Sequence, residues 1–283
     1  MLVATPIGNL GDVSIRAREV LESADLICCE DTRRTRVLLS ALGITAGGAH
    51  GHRLLSVHGH NESSRVERVL ASLADGGTVA VVSDAGTPGI SDPGSILVGA
   101  AATAGHIVSV VPGPSSVVAA LVVSGLPTDR FCVEGFLPRK GADRRERLAA
   151  VLADRRTTVV LEAPSRVGAT LAEIADLDPQ RNVVVARELT KVHEEVWRGT
   201  AADAVTAWAG RDVKGEVVFV VAGAAPSEPP SDEEVDDAVR AHLRLGPDEG
   251  PRQIAETLAA EMGVARRRVY EAVLRLRGDV VES

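Results

Sequence analysis

VVSDAGTPGISDPG, residues 81–94, completes the apolar run Thr78–Val82. An apolar run bounded by turn residues is typical of a strand that is buried on both faces of a sheet. The stretch then combines three glycines and two prolines with the carboxylates of Asp84 and Asp92. In open parallel sheets ligands bind beyond the carboxyl ends of the strands, where glycine lets the backbone approach them closely. We therefore expect a ligand-binding loop after a buried strand, with Asp84 as a candidate site residue and Asp92 as a helix cap.

The composition of the 283-residue chain fits a folded protein with an aliphatic core, since 45% of the residues are hydrophobic but only 2% are aromatic. So few aromatic rings argue against the base-stacking surfaces of single-strand binders. The formal net charge of −8 argues against a broadly basic surface. Cys28, Cys29 and Cys132 are too few and too badly spaced for a disulfide framework or a zinc site, and we assume no metal. Because we find no signal-like or membrane-spanning segment, we expect a cytoplasmic protein.

The first part of the chain alternates short apolar runs with segments of helical periodicity. This alternation is typical of βα units that build a parallel sheet. Strands are predicted at 2–5, 25–29, 54–57, 78–82 and 107–111, and helices at 14–23 with Ser14 as N-cap, 33–42, 62–74 and 94–104. We therefore predict a doubly wound α/β domain over residues 1–112.

Pro112-Gly113-Pro114 interrupts this pattern, because each proline fixes φ and lacks an amide donor. We place a domain junction there and predict a second α/β domain over residues 113–224. Its predicted helices are 115–124, 143–153, 166–176 and 201–210, and its predicted strands lie near 131–136, 157–162, 182–188 and 215–222.

A Pro-rich, weakly hydrophobic segment predicts a linker at 225–232, and residues 233–283 are predicted to form a helical tail. Within the tail, the pattern indicates a helix, a turn at Gly263 and a second helix that displays Arg266, Arg267, Arg268 and Arg275. A nucleic-acid-binding helix-turn-helix and a plain helical hairpin both fit this pattern.

Polar loops follow the first four predicted strands, and the carboxyl ends of parallel strands meet at one edge of a sheet. These loops are Thr5–Asp12, Glu30–Arg33, His58–Glu62 and residues 83–94. Several polar loops beside flexible backbone indicate a ligand-binding cleft. Taken singly, Asp12, Asp31 and Glu62 are also explained as helix caps or first-turn acids.

The motifs along the chain resemble those of one protein family in their order. They read TPIGNLGD, CEDTR, HNE, SDAGTPGISDPG, PGPSS, GLPTDRFCVEGFLPRK, EAPSR, ARELTKVHEE and KGEVVFVVAG. Residues 2 to about 223 are similar to the bacterial ribosomal RNA small-subunit methyltransferase I family, which belongs to the class III methyltransferases together with the tetrapyrrole methylases. The tail resembles the helical C-terminal extension of that family.

The resemblance implies S-adenosylmethionine-dependent methylation of the 2′-hydroxyl of a cytidine in 16S ribosomal RNA, near the decoding centre. It also implies two α/β domains of the class III, tetrapyrrole methylase-like type with the cofactor between them, and a homodimer that acts on 16S ribosomal RNA or the small ribosomal subunit. By motif, the residues implied to bind the cofactor are Thr5, Pro6, Gly8, Asp84, Ala85, Gly86, Thr87, Pro112, Gly113, Pro114, Ser115, Glu134, Gly135, Phe136, Leu137, Pro138, Glu162, Ala163 and Pro164.

Methylation of a hydroxyl requires a group that accepts its proton. Lysine is rare in this Arg-rich chain, and lysine can lose its proton whereas arginine stays protonated. Lys191 is therefore the first candidate for a substrate- or proton-handling group, and an ordinary salt-bridge cluster with Glu188 and Glu194 is the alternative. Asp31 and Arg33 are the second candidates.

Binding of RNA requires positive charge that contacts phosphates, which this acidic chain has to supply locally. The candidates come from two basic clusters and are Arg139, Lys140, Arg144, Arg145, Arg266, Arg267 and Arg268. Arg-rich helix faces that are merely solvated are the alternative explanation.

Two other functions stay open from the sequence. A tetrapyrrole methyltransferase would share the fold and the cofactor but would need a broad apolar trough, and the basic clusters and the tail favour RNA instead. The other alternative is a nucleic-acid-binding protein with an inactive methylase body, which would bind nucleic acid through the tail alone.

Overall fold

The computed structural model describes residues 1–45, 53–225, 230–245 and 249–281. The chain forms two compact units, Met1–Ala224 and Ala225–Ser283. Among the described residues, no helix combines the length and the apolar character that crossing a membrane requires.

The first half of the larger unit contains a parallel sheet with helical connections. Its strands are β1 (Leu2–Val3), β2 (Leu26–Cys29), β3 (Arg53–Ser56), β4 (Val79–Val81) and β5 (Val110–Val111), and its helices are α1 (Ile15–Ser23), α2 (Thr32–Ala41), α3 (Glu62–Ala74) and α4 (Ser95–Thr103). The strand order is β3-β2-β4-β1-β5. Every predicted element of this half is present, although most of the strands are shorter than predicted. The parallel α/β arrangement is therefore confirmed.

Local sequence explains where the first two helices begin. The Ser14 hydroxyl accepts a hydrogen bond from Ala17 N at 3.0 Å, as expected of an N-cap. Asp31 accepts from Arg33 N at 2.8 Å and is the N-cap of α2. Both caps fix the direction in which the chain leaves the preceding loop.

The second half of the larger unit contains a mixed sheet. Its strands are β6 (Phe131–Phe136), β7 (Thr157–Glu162), β8 (Asn182–Arg187), β9 (Glu195–Thr200) and β10 (Val217–Val221), and its helices are α5 (Ser116–Ser124), α6 (Ala142–Ala153), α7 (Val167–Leu177) and α8 (Ala201–Trp208). In the order β6-β7-β10-β8-β9, β6 and β7 are parallel and the other neighbours are antiparallel. The sequence pattern misses β9, because EVWRGT has no continuous apolar run and lies partly exposed at the sheet edge.

The loop after β1 joins the two sheets. Ile7 of this loop is buried in a cluster with Val117 and Leu121 of α5 and with Val218 and Val220 of β10. Burial of a side chain of this size contributes roughly 1.5–3 kcal/mol. This contact holds the carboxyl edge of the first sheet against the second sheet. The domain boundary between residues 112 and 113 stays a prediction.

The described part of the second unit contains α9 (Asp232–Leu245), α10 (Pro251–Met262) and α11 (Arg266–Val281). Val239, Ile254 and Val273 are fully buried in its core. Gly263 has φ 65° and ends α10 in the left-handed conformation that favours glycine. The predicted helix, turn and helix around Gly263 are present, and α9 is an additional helix. Of the predicted linker, residues 226–229 lie outside the described residues.

Candidate functional site

A cavity of about 450 Å³ lies between the carboxyl edge of the first sheet and the second sheet. Cavities of this volume commonly hold small ligands and cofactors. We call it the inter-sheet cavity. The residues that line it are Ile7, Glu30, Arg34, Asp84, Ala85, Ile90, Ser91, Asp92, Ser116, Phe136, Leu161, Glu162, Ala163, Pro164, Gly215, Glu216, Val217 and Val218.

Main-chain hydrogen bonds join the loop after β4 to the loop after β1. Thr5 N donates to Gly86 O at 2.9 Å, and Gly86 N donates to Thr5 O at 3.1 Å. Gly86 has φ 85°, which favours glycine, and the buried Thr5 hydroxyl donates to Ser83 O at 3.2 Å. These contacts hold Asp84 and Ala85 in the cavity wall.

The Pro-Gly-Pro segment packs on the same loop. Thr87 Oγ1 donates to Pro114 O at 3.0 Å. A Cβ on Gly113 would come within 3.0 Å of a neighbouring side chain, so glycine permits this close approach. Ser115 caps α5 by accepting a hydrogen bond from Val118 N at 3.4 Å. Three of the quoted motifs thus meet beside the cavity.

Glu62 caps the helix that follows the cavity-lining loop. Its carboxylate is buried and accepts hydrogen bonds from three main-chain amides at the start of α4, at 2.8 to 3.1 Å. The prediction that Asp92 caps this helix is wrong, because Gly94 occupies the N-cap position and Asp92 lines the cavity. The cap comes from a distant element, and local sequence cannot reveal such a contact.

The wall of the inter-sheet cavity is acidic. Glu30, Asp84, Asp92 and Glu216 line it, and Arg34 is the basic residue among the lining residues. Burial, followed by the charges of Glu30 and Asp84, raises the pKa of Asp92 to about 6. Burial also raises the pKa of Glu30, and Asp84 adds to this effect. Carboxylates that destabilise one another in this way favour a cationic ligand.

Asp31 and Arg33, the second catalytic candidates, are not among the lining residues. Hydrogen bonds from the side chain and the amide of Arg33 hold the pKa of Asp31 well below its usual range. The Arg33 side chain is 85% exposed and lies 2.7 Å from Asp31. The Asp31 amide donates to Asp84 Oδ1 at 3.0 Å. These contacts favour the interpretation of Asp31 as a cap whose main chain holds the cavity-lining Asp84.

Lys191 lies in a carboxylate cluster beside the cavity. Its ammonium donates to Glu188 Oε1 at 2.7 Å and to Glu216 Oε2 at 3.2 Å. Partial burial lowers the pKa of Lys191, but the two carboxylates outweigh this effect and the pKa is raised. The side chain also contacts the loop after β1, since a Cβ on Gly8 would lie 2.4 Å from Lys191 Cγ. Lys191 is therefore protonated at neutral pH and connects the first loop to the second sheet.

The backbone around Lys191 has unusual conformations. Glu188 and Thr190 have φ 51° and 67°, in the left-handed region that residues with a side chain seldom adopt. Gly215 has φ 88°, and a Cβ there would lie 2.2 Å from Glu188 Oε1. The Thr190 hydroxyl is buried and has no hydrogen-bond partner within the described residues. Strain of this kind persists where the surroundings enforce it, and it concentrates at functional sites.

Glu162 is a carboxylate in the cavity wall whose charge is balanced by neighbouring arginines. It is buried, accepts a hydrogen bond from Thr170 Oγ1 at 2.6 Å and lies 2.5 Å from Arg166 NH2. Arg144 NH1 is 3.8 Å away. Because its charge is compensated, Glu162 adds little to the acidity of the cavity. Its neighbours Ala163 and Pro164 complete this part of the wall.

The predicted cofactor residues 134–138 begin with Glu134, the extra residue of a β-bulge in β6. The register to β7 shifts between Val133 and Gly135, and Gly135 has φ 74°. Glu134 forms an ion pair with Arg147 of α6. Phe136 lines the inter-sheet cavity, whereas Leu137 and Pro138 line a neighbouring cavity.

The predicted RNA-binding residues differ in exposure. Arg139, Lys140 and Arg145 are exposed. The prediction for Arg144 is wrong, because this residue is buried, donates to Glu173 Oε2 at 2.8 Å and cannot contact a phosphate. In the second unit the three arginines form ion pairs, namely Arg266 with Glu256 at 3.6 Å, Arg267 with Glu271 at 2.7 Å and Arg268 with Asp232 at 2.6 Å.

Sequence reasoning predicted a cleft at the loops that contain Glu30 and Asp92, but it did not name Glu30, Arg34, Asp92 or Glu216 as individual site residues. Glu30 directly follows β2 and Glu216 directly precedes β10, so their positions at strand ends were the available signal. The position of Asp92 in the cavity wall was not recognised, because the sequence does not distinguish a helix cap from an acid that faces a ligand. Arg34 lies in the first turn of α2, where nothing in the pattern distinguishes it from its Arg neighbours.

Comparisons with known proteins agree with this geometry. Residues 1–205 match the family Tetrapyrrole (Corrin/Porphyrin) Methylases. The chain is 46% identical over 282 residues to "Ribosomal RNA small subunit methyltransferase I" of Mycobacterium tuberculosis strain CDC 1551, covering 99% of this chain and 95% of the relative. The protein of the same name from Synechocystis is 44% identical over 281 residues, with 98% of each chain covered.

Solved structures share the fold at lower identity. The methyltransferase CobJ superposes with a TM-score of 0.58 at 21% identity, over 80% of this chain and 95% of that one. A uroporphyrin-III C-methyltransferase from Thermus thermophilus, solved in complex with S-adenosyl homocysteine, gives a TM-score of 0.50 at 19% identity over 78% and 90%. The near-complete match to the curated relatives and the match to the family signature establish that the chain belongs to the ribosomal RNA small subunit methyltransferase I family within the tetrapyrrole methylases.

Proposed function

We propose that this protein transfers a methyl group from S-adenosylmethionine to the 2′-hydroxyl of a cytidine in 16S ribosomal RNA, near the decoding centre. The family membership and the names of the relatives support ribosomal RNA as the substrate class. The cytidine and its position follow from the motif resemblance. The observation that carries the proposal is the acidic inter-sheet cavity, because several of the family's motifs line it and its charge suits a cationic methyl donor.

The residues of the inter-sheet cavity fit S-adenosylmethionine. The sulfonium and ammonium groups of this cofactor are positive. The cavity has a volume of about 450 Å³, and the carboxylates of Glu30, Asp84, Asp92 and Glu216 supply negative charge in its wall. Gly86 lets the main chain of the loop approach a ligand without steric hindrance. When bound, this cofactor supplies an already activated methyl group.

The protein's contribution is then mainly orientation of the reacting groups and acceptance of a proton. Lys191 holds Glu188 and Glu216 and packs against the first loop, so we assign it a positioning role. Proton acceptance falls to the wall carboxylates. Among these, Asp92 has a pKa raised to about 6, so it is a better proton acceptor than an ordinary carboxylate and is still charged at neutral pH.

The proposed partner is 16S ribosomal RNA, either free or in the small subunit, and the proposed assembly is a homodimer. Exposed Arg139, Lys140 and Arg145 supply positive charge for phosphates on the larger unit. On the second unit, the arginines of α11 supply positive charge. Their exposed ion pairs are weak enough to be exchanged for contacts with phosphate.

The test is transfer of a labelled methyl group from S-adenosylmethionine to isolated small subunits and to naked 16S RNA, followed by mapping of the modified nucleotide. We expect one 2′-O-methylated cytidine. Transfer of the label to an added tetrapyrrole and not to RNA, or cofactor binding without any RNA product, would contradict the proposal. Comparison of the two RNA substrates identifies the form on which the protein acts.

A further inference from the structure

A second cavity, of about 680 Å³, adjoins the inter-sheet cavity. The two cavities share Phe136 and Ala163 as lining residues. The second cavity is also lined by Arg139, Ser165 and Arg166, and we call it the β6 cavity because Phe136 ends β6. A shared wall brings ligands in the two cavities within reach of one another.

The two cavities differ in charge. Four carboxylates besides Glu162 line the inter-sheet cavity. Asp84 pairs with Arg34 and Glu216 pairs with Lys191, which leaves Glu30 and Asp92 without an ion pair among the described residues. No carboxylate is found among the described residues that line the β6 cavity. Arg166 is paired with Glu162, but its Nε is buried and has no hydrogen-bond partner within the described residues. Arg139 is exposed and forms no ion pair in the part of the chain that the structure describes. The β6 cavity therefore suits an anionic ligand.

The bulge in β6 determines where the ring of Phe136 lies. Val133 pairs with Val159 and Phe136 pairs with Leu161, so the extra residue of the bulge puts Phe136 on the same face of the sheet as Val133. Phe136 as a residue is 59% exposed, and it lies at the wall between the two cavities. In contrast, Phe219 and Trp208 are buried in the core of the second sheet. In a chain with so few aromatic residues, an exposed ring at this point is a platform on which a base can stack.

We propose that the β6 cavity holds the nucleotide that is methylated, with its base stacked on Phe136 and a flanking phosphate bound by Arg139. A base stacked on Phe136 leaves its ribose at the shared wall, beside the methyl donor in the inter-sheet cavity. An enzyme that modifies a nucleotide in structured RNA has to separate it from its neighbours, and a stacking ring compensates part of that cost. The inference rests on the proposed function, and it assigns Phe136 to the substrate.

The test compares two phenylalanines of one strand. Phe136→Leu removes the ring at the cavity wall, and Phe131→Leu makes the same change at a residue that lines neither cavity. Loss of one base–aromatic stack predicts a roughly 5- to 150-fold lower kcat/KM for small subunits in Phe136→Leu. We expect Phe131→Leu to stay close to wild type and Phe136→Tyr, which keeps the ring, to retain more kcat/KM than Phe136→Leu. In Phe136→Leu the affinity for S-adenosylmethionine should fall by a smaller factor than kcat/KM.

Three outcomes would overturn the inference. Wild-type kcat/KM in Phe136→Leu would show that the ring does not bind the substrate. An equal loss of cofactor affinity in that variant would assign Phe136 to the cofactor instead. Absence of methyl transfer by the wild-type protein would remove the proposed function and, with it, this inference, so the two failures are distinguishable.

A second comparison tests the phosphate contact. Arg139→Gln should raise KM for small subunits and reduce the slope of log KM against log salt concentration by about 1, because one phosphate contact is lost. Arg130→Gln removes an exposed arginine that lines neither cavity and is the matched control. Equal salt slopes for Arg139→Gln and the control would contradict a phosphate contact at Arg139.

Discussion

Asp92, in the wall of the inter-sheet cavity, links ligand binding to the free energy of unfolding of the protein. Its pKa is raised from 3.8 to about 6 by burial and by neighbouring carboxylates. Between these two pH values the folded protein binds more protons than the unfolded chain, so the free energy of unfolding falls as pH rises through this window. At neutral pH the charged side chain thus lowers stability, and a cationic ligand relieves this cost.

Replacement of Asp92 by Asn should separate stability from function. We expect Asp92→Asn to raise the free energy of unfolding at pH 7.5 by about 1 kcal/mol, a value reduced for partial exposure to solvent. The affinity for the cofactor should fall. In the wild type this affinity should rise between about pH 5 and 7 as Asp92 ionises, and this rise should disappear in Asp92→Asn. Urea unfolding and calorimetric titration measure the two effects. Asp129→Asn, at an exposed position, is the control, and an unaltered pH dependence of affinity in Asp92→Asn would contradict the assignment.

Substitution of Lys191 tests whether this residue accepts a proton in the reaction or positions other groups. Lys191→Met leaves Glu188 and Glu216 without their shared cation, so we expect single-turnover methylation to slow by roughly tenfold, about 1.4 kcal/mol. The shape of the pH–rate profile should stay that of the wild type, because a protonated positioning residue does not titrate near neutrality. Disappearance of an inflection in Lys191→Met would make Lys191 the base, and an unchanged rate would remove it from the mechanism.

At the scale of elements, Glu62 connects α3 to the loop that lines the cavity. Glu62→Ala leaves three amides at the start of α4 without their acceptor, and we expect a loss of roughly 2 kcal/mol in the free energy of unfolding. Cofactor affinity should fall as well, because Asp92 and Ser91 lose their support. Glu67→Ala, on an exposed part of the same helix, should change neither quantity. Wild-type stability in Glu62→Ala would show that the cap has no energetic role.

For the whole molecule, the question is what the second unit contributes to RNA binding. It carries more acidic than basic residues, and Arg266, Arg267 and Arg268 already have carboxylate partners. Exposed pairs of this kind are worth at most about 1 kcal/mol each, so phosphates can replace the carboxylates. We expect a chain that ends at residue 224 to keep its cofactor affinity but to show a higher KM for small subunits. Equal KM values with and without residues 225–283 would exclude the second unit from RNA binding.

Periodicity and strand-end motifs are local properties, so the features that depend on them can be predicted from the amino-acid sequence. The alternation of apolar runs and helical segments gave the parallel sheet, nearly all helices and the Ser14 cap. The motif order indicated the family and the loops that surround the cavity. Among the strands of the described residues, the sequence pattern missed β9, because a polar edge strand owes its structure to the neighbour with which it pairs.

The packing of the elements determines which charges from distant parts of the chain meet. The pairing of Arg144 with Glu173, the capping of α4 by Glu62 and the contact of Lys191 with Glu216 join residues that are far apart in the sequence. Such contacts depend on how elements pack, and a single sequence does not encode them in a pattern that can be read. The bulge in β6 is likewise visible only against β7, and it is the bulge that puts Phe136 at the wall between the two cavities.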